Sequence, residues 1–147
     1  MDETFQLAGI CSVAVQVRDL DRSLAFYRDV LGLHLVHREG WIAQLQGQDQ
    51  GRASPTLVLL EVGERAGSHQ TGAPGLTRVA WRVGRQADLD LAEHLLESRG
   101  LPHERRREDG GDVVDTRDPD RTHVLLVWLD DTQLEGERLP PRLYTYE

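Results

Sequence analysis

The feature that most constrains this chain is that it carries one pattern twice. Ser12-Val13-Ala14-Val15-Gln16-Val17 is echoed by Arg78-Val79-Ala80-Trp81-Arg82-Val83, the two starts lying 66 residues apart. Both segments alternate. Val13, Val15 and Val17 face one way and Ser12, Ala14 and Gln16 the other, as Val79, Trp81 and Val83 oppose Arg78, Ala80 and Arg82; this is the period of a half-buried strand. A helical pattern follows each strand. Asp21 to Leu31 ends at Gly32, with Leu24, Tyr27 and Leu31 on one face; Asp88 to Arg99 ends at Gly100, with Leu91, Leu95 and Leu96. Acidic residues at the starts, Arg99 in a last turn and a glycine past each end are the expected capping chemistry.

Shorter strand-like runs come next: Leu33 to His37, Trp41 to Leu45 and Thr56 to Val62, then Pro102 to Arg107, Val113 to Arg117 and His123 to Leu129. The chain therefore reads as an α+β domain of two βαβββ modules, over residues 8–62 and 76–129. Residues 63–75, with four Gly and one Pro, form the expected linker. Residues 130–147 form a polar tail that Pro140-Pro141 keeps from being helical, while Leu143, Tyr144 and Tyr146 offer side chains to dock on a neighbour.

At 147 residues the chain suits one domain. Its charge excludes some partners. Seventeen basic residues, all Arg, stand against 25 acidic ones, a net of -8, and the basic run Arg105-Arg106-Arg107 is followed at once by Glu108 and Asp109. Such a chain repels phosphate backbones, so nucleic acid is not an expected partner. No apolar stretch approaches the roughly 20 residues that span a bilayer, and the first residues have neither a basic start nor an apolar signal core, so a cytoplasmic protein is expected. Cys11 is the sole cysteine, which excludes an intramolecular disulfide and a cysteine-based zinc site.

The phrase VAVQVRDLDRSLAFYRDVLGL resembles the opening strand and helix of the vicinal oxygen chelate superfamily, which includes glyoxalases, bleomycin-resistance proteins and extradiol dioxygenases. GLTRVAWRV is similar to the opening of that family's second module and DPDRTHVLLVW to its closing strand, so the resemblance covers residues 8–129. It implies an eight-stranded sheet curled into a cup, with helices outside and a ligand pocket within.

Metal-dependent relatives hold a cation at the cup floor with His, Glu or Gln. The resemblance places those ligand positions at Ser12 and Val58 in the first module and at Arg78 and Leu125 in the second. A divalent cation needs several carboxylate or imidazole donors, and this set provides one hydroxyl, two hydrocarbons and a permanent positive charge. No metal and no other cofactor is expected. The resemblance and the strand parity together turn Ser12, Gln16, Val58, Leu60, Arg78, Arg82, His123 and Leu125 inward, with Trp41 able to stack on a planar ring.

His123 reads either as an acid, base or hydrogen-bond donor in the cup or as a solvated rim residue. His37 can face either way, and His34, His69, His94 and His103 fall in exposed contexts. Arg78 and Arg82 either meet a carboxylate, phenolate or carbonyl of a ligand or pair with acidic neighbours. The expected function is metal-independent binding of a planar or anionic compound, aromatic or polyketide-like, by a homodimer, as in the drug-resistance branch. The alternatives are a metal-free enzyme in which Arg78 or Arg82 stabilises an oxyanion and His123 moves a proton, and metal-dependent glyoxalase or dioxygenase chemistry through non-standard ligands.

Overall fold

A computed structural model describes residues 10–47, 55–65, 76, 78–108 and 111–130. Most of the expected linker and almost all of the tail, including Leu143, Tyr144 and Tyr146, lie outside the described residues, as does His69. The chain divides into two compact units, residues 1–66 and 67–147.

In the first unit, β1 (Ser12–Val17) leads into α1 (Leu20–Leu24), which passes directly into a π-helical segment, Ala25–Val30. Strands β2 (His34–Glu39), β3 (Ile42–Gln46) and β4 (Thr56–Glu61) complete a four-stranded sheet in the order β1-β4-β3-β2. β1 and β4 are parallel and the other neighbours antiparallel. Asp19 caps α1, its carboxylate accepting from Arg22 N at 3.1 Å, and Leu20 N donates to the Glu61 carboxylate at 2.8 Å, tying the helix start to the end of β4.

The sequence predicts an α-helix through Leu31 with Leu24, Tyr27 and Leu31 buried. Instead, Leu31 N bonds Phe26 O at 3.0 Å, a span of five residues, and the widened turn brings Phe26, Tyr27 and Val30 into the core. Leu31 is only half-buried. The Phe26 and Tyr27 rings meet edge to face with centroids 5.1 Å apart. Leu20, Leu24 and Tyr27 are fully buried with Val15 and Val17 of β1 and Leu57 and Leu59 of β4, each Leu stabilising the unit by about 1.5–3 kcal/mol.

The second unit repeats the plan. β5 (Arg78–Arg82), α2 (Gln86–Ser98), β6 (His103–Glu108), β7 (Gly111–Arg117) and β8 (His123–Leu129) give a sheet in the order β5-β8-β7-β6, with β5 and β8 parallel. At the start of α2, Asp88 accepts from Arg85 N at 3.2 Å. Gly32 and Gly100, past the two helices, have φ of +76° and +67°, the left-handed conformation expected of them. Leu89 and Leu96, two turns apart, are the residues α2 buries, whereas Leu91 is 63% exposed. The expected stripe was rotated: Leu91 sits about 200° around the helix from Leu89.

Strands β7 and β8 differ from the first module in being buried on both faces. Val114, Val124 and Leu126 occupy one face, while Val113, Leu125 and Val127 form a buried cluster on the other, joined by the partly buried Leu129. The unbroken apolar run Val124 to Leu129 is the sequence form of such a strand. Gly111 is required in β7, because a Cβ there would collide with the Trp128 carbonyl oxygen.

Candidate functional site

The two modules share one register. Ser12 lies beside Thr56 and Ala14 beside Val58 in the first sheet; Arg78 lies beside His123 and Ala80 beside Leu125 in the second. Laterally paired residues point to the same side of a sheet. Ser12, Gln16, Val58 and Leu60 therefore share the face turned away from α1, together with Gln44, which pairs with Val58. Ser12 and Gln16 are exposed there, and Val58 and Leu60 half-buried. Trp41 stands apart from this set, 57% exposed in the β2–β3 turn, and its neighbour Ile42 is the residue paired with Leu60.

A register shift between Leu35 and His37 pairs His34 with Gln46 and His37 with Gln44. Simple alternation would separate these two histidines; the bulge puts both on the face of Val58. His37 lies 3.4 Å from the exposed Glu39 carboxylate.

On the second sheet, the face turned away from α2 is a lattice of three rows. Arg78, His123 and Arg117 form the first, Ala80, Leu125, Asp115 and Glu104 the second, and Arg82, Val127, Val113 and Arg106 the third. Four guanidinium groups and an imidazole thus share a face with two carboxylates, in a chain whose net charge is -8. His123 Nδ1 lies 3.3 Å from Asp115 Oδ1, and Arg106 Nη2 lies 3.6 Å from Asp115 Oδ2. The three side chains are 28%, 16% and 14% exposed, so the chain of contacts is largely sheltered from water. Leu125 is fully buried beside them, and Arg82 is exposed with no ion pair to any described residue.

Asp115 and Arg106 were not singled out by the sequence reading. Their signal is the pairing of β7 with β8, which sets Asp115 opposite Leu125. The remaining histidines fall away from this group: His94 is exposed on α2 and His103 Nδ1 lies 2.9 Å from the Leu101 carbonyl.

The opposite face of the same sheet is built for α2. Arg105 reaches Asp90, Glu93 at 3.3 Å and Asp112 at 3.2 Å, and Gln86 donates to Asp112 at 2.9 Å. Burial alone would raise the Asp112 pKa, but the hydrogen bonds from Gln86 and Arg105 outweigh it and hold the carboxyl below the usual range.

The family model described as Glyoxalase/Bleomycin resistance protein/Dioxygenase superfamily matches residues 9–126. The chain belongs to this superfamily. A lactoylglutathione lyase from Agrobacterium tumefaciens is 25% identical, with a TM-score of 0.64, covering 83% of this chain and 94% of its own. A glyoxylase/bleomycin resistance protein/dioxygenase domain from Frankia sp. EAN1pec is 24% identical with a TM-score of 0.69, covering 86% and 95%. A glyoxalase/dioxygenase from Nostoc punctiforme reaches a TM-score of 0.70 at 17% identity, covering 89% and 99%. No curated protein matches in sequence.

The superfamily's metal positions, carried over by resemblance, fall on β1, β4, β5 and β8 at Ser12, Val58, Arg78 and Leu125. These residues do not fit a divalent cation: a hydroxyl, two hydrocarbons and a guanidinium supply at most one weak neutral donor and one repelling charge. Among the described residues no three His, Cys, Asp or Glu side chains are grouped as a metal site. No described helix is long and apolar enough to cross a membrane.

Proposed function

We propose that the protein binds a planar or anionic organic compound, aromatic or polyketide-like, without a metal ion, and sequesters it as a cytoplasmic homodimer. The observation that carries this reading is Arg78. By resemblance, a fixed positive charge takes the position of a metal ligand in metal-dependent members; His123 pairs beside it and the buried Leu125 lies on the same face. Apolar surface with a few directional polar groups is the general composition of an organic-ligand site, and a guanidinium suits a carboxylate or phenolate. The first unit offers its own proposed ligand-binding residues, Ser12, Gln16, Val58 and Leu60 on one sheet face and Trp41 as an aromatic surface in the β2–β3 turn.

The test combines elemental analysis with a thermal-shift screen of aromatic acids and planar natural products on one purified sample. Ligand-dependent stabilisation without stoichiometric metal supports the reading, since a ligand at 100 times its Kd raises stability by about 2.7 kcal/mol. An equimolar transition metal overturns it in favour of metal-dependent chemistry.

A second reading is favoured by the contact between His123 and Asp115. An imidazole oriented by a carboxylate is suited to moving a proton while Arg78 or Arg82 stabilises an oxyanion. Turnover of a bound compound that is abolished in His123→Ala, with binding retained, establishes the enzyme.

A further inference from the structure

We propose that Asp115 is the positioning residue of a hydroxyl-recognition site on the second sheet. It holds His123 so that Nε2 accepts a hydrogen bond from the phenolic hydroxyl of an aromatic ligand. The inference rests on the reading that this face binds an organic compound, and it names the ligand's chemical class.

A carboxylate at neutral pH only accepts hydrogen bonds, whereas a neutral imidazole donates from one nitrogen and accepts at the other. Asp115 Oδ1 faces His123 Nδ1 at 3.3 Å, so the proton of the neutral ring belongs on Nδ1. Nε2 is left as the acceptor. Arg106, 3.6 Å from the other carboxylate oxygen, holds Asp115 from β6, so the imidazole is oriented by a chain that crosses three strands, β6, β7 and β8. The charged groups that share this face with His123 are Arg78 and Arg82 on β5, Arg117 and Asp115 on β7, and Glu104 and Arg106 on β6.

These neighbours select the ligand. Arg78 and His123 are paired across β5 and β8, so both side chains leave the same face of the sheet. An oxygen that donates to His123 Nε2 is a hydroxyl oxygen. A carboxylate has no hydrogen to give to Nε2, and an ether has none either.

Two measurements test this. In protein labelled with nitrogen-15 at histidine, the ring nitrogen shifts of His123 should report the Nδ1–H tautomer, and Asp115→Ala should move it towards Nε2–H. An Nε2–H ring in the wild-type protein overturns the proposal whether or not the variant folds, as does a tautomer unchanged by the substitution.

The second measurement compares 2-naphthol with its methyl ether, 2-methoxynaphthalene, by fluorescence titration. The wild-type protein should bind the naphthol about tenfold more tightly, the value of one well-formed hydrogen bond. In Asp115→Ala that preference should fall to within about twofold. Equal affinities of the wild type for both probes overturn the proposal and leave the binding reading intact. Failure to bind 2-naphthol also overturns it, and the broader ligand screen then decides the binding reading separately.

Discussion

Arg105 and Arg106 are consecutive in β6 and serve opposite faces of the second sheet: Arg105 binds Asp90, Glu93 and Asp112 on the α2 side, and Arg106 reaches Asp115 on the other. Removing Arg105 strips the counter-charge from Asp112, whose side chain is 6% exposed. Arg105→Ala should therefore destabilise the protein by about 1–3 kcal/mol, measured by urea unfolding. Asp112→Asn in the same background should recover part of the loss, because it removes the stranded charge.

The Asp112 carboxyl also sets an acid dependence. Its pKa in the folded protein lies below the unfolded value, so its contribution is fully present above the ordinary carboxylate range and is lost as pH falls through the folded pKa. The stability difference between wild type and Asp112→Asn should be flat from about pH 7 to pH 5 and shrink below about pH 4. A difference that persisted unchanged into acid would show that Asp112 has no such coupling.

The duplicated strand and helix pattern was legible because period-2 alternation in Ser12 to Val17 and Arg78 to Val83 leaves one choice of buried face, and the structure buries Val15 and Val17 as that choice requires. Three local features were not legible. The π-helical turn after Leu24 and the bulge before His37 each insert one residue into a periodic count, and alternation carries no mark of such an insertion. The rotated face of α2 had a similar cause: Leu89, Leu91, Leu95 and Leu96 permit more than one stripe, and packing selected Leu89 and Leu96. On the candidate face, Arg78, His123 and Leu125 were readable from strand parity. Asp115 and Arg106 needed the register of β6, β7 and β8, which no local pattern encodes.

Arg121 is a non-glycine residue with φ of +68°, in the turn between β7 and β8. The turn is held by the buried Asp118, whose carboxylate accepts from Asp120 N at 2.9 Å and Thr122 N at 2.8 Å. These bonds hold the turn in which Arg121 takes the left-handed conformation, at a strain of about 1–2 kcal/mol for a residue with a Cβ. Arg121→Gly should raise stability by up to about 1 kcal/mol, the relief being partly offset by glycine's greater freedom when unfolded. A lower thermal midpoint for the variant would show that the Arg121 side chain makes a compensating contribution.

Arg78 gives the most direct test of the binding reading, because its two possible roles respond differently to charge. As a ligand anchor it makes a charge-assisted hydrogen bond, and Arg78→Ala should weaken an aromatic carboxylate such as 2-naphthoate by about ten- to a hundredfold while affecting naphthalene far less. Arg78→Lys keeps the charge but loses the planar fork, and should fall between the two. As a structural residue tying β5 to its neighbours, its loss should instead lower the unfolding midpoint and weaken both probes alike. Titration of the two compounds, with the midpoint measured on the same samples, separates these outcomes; unchanged affinity for 2-naphthoate in a folded Arg78→Ala protein removes Arg78 from the site.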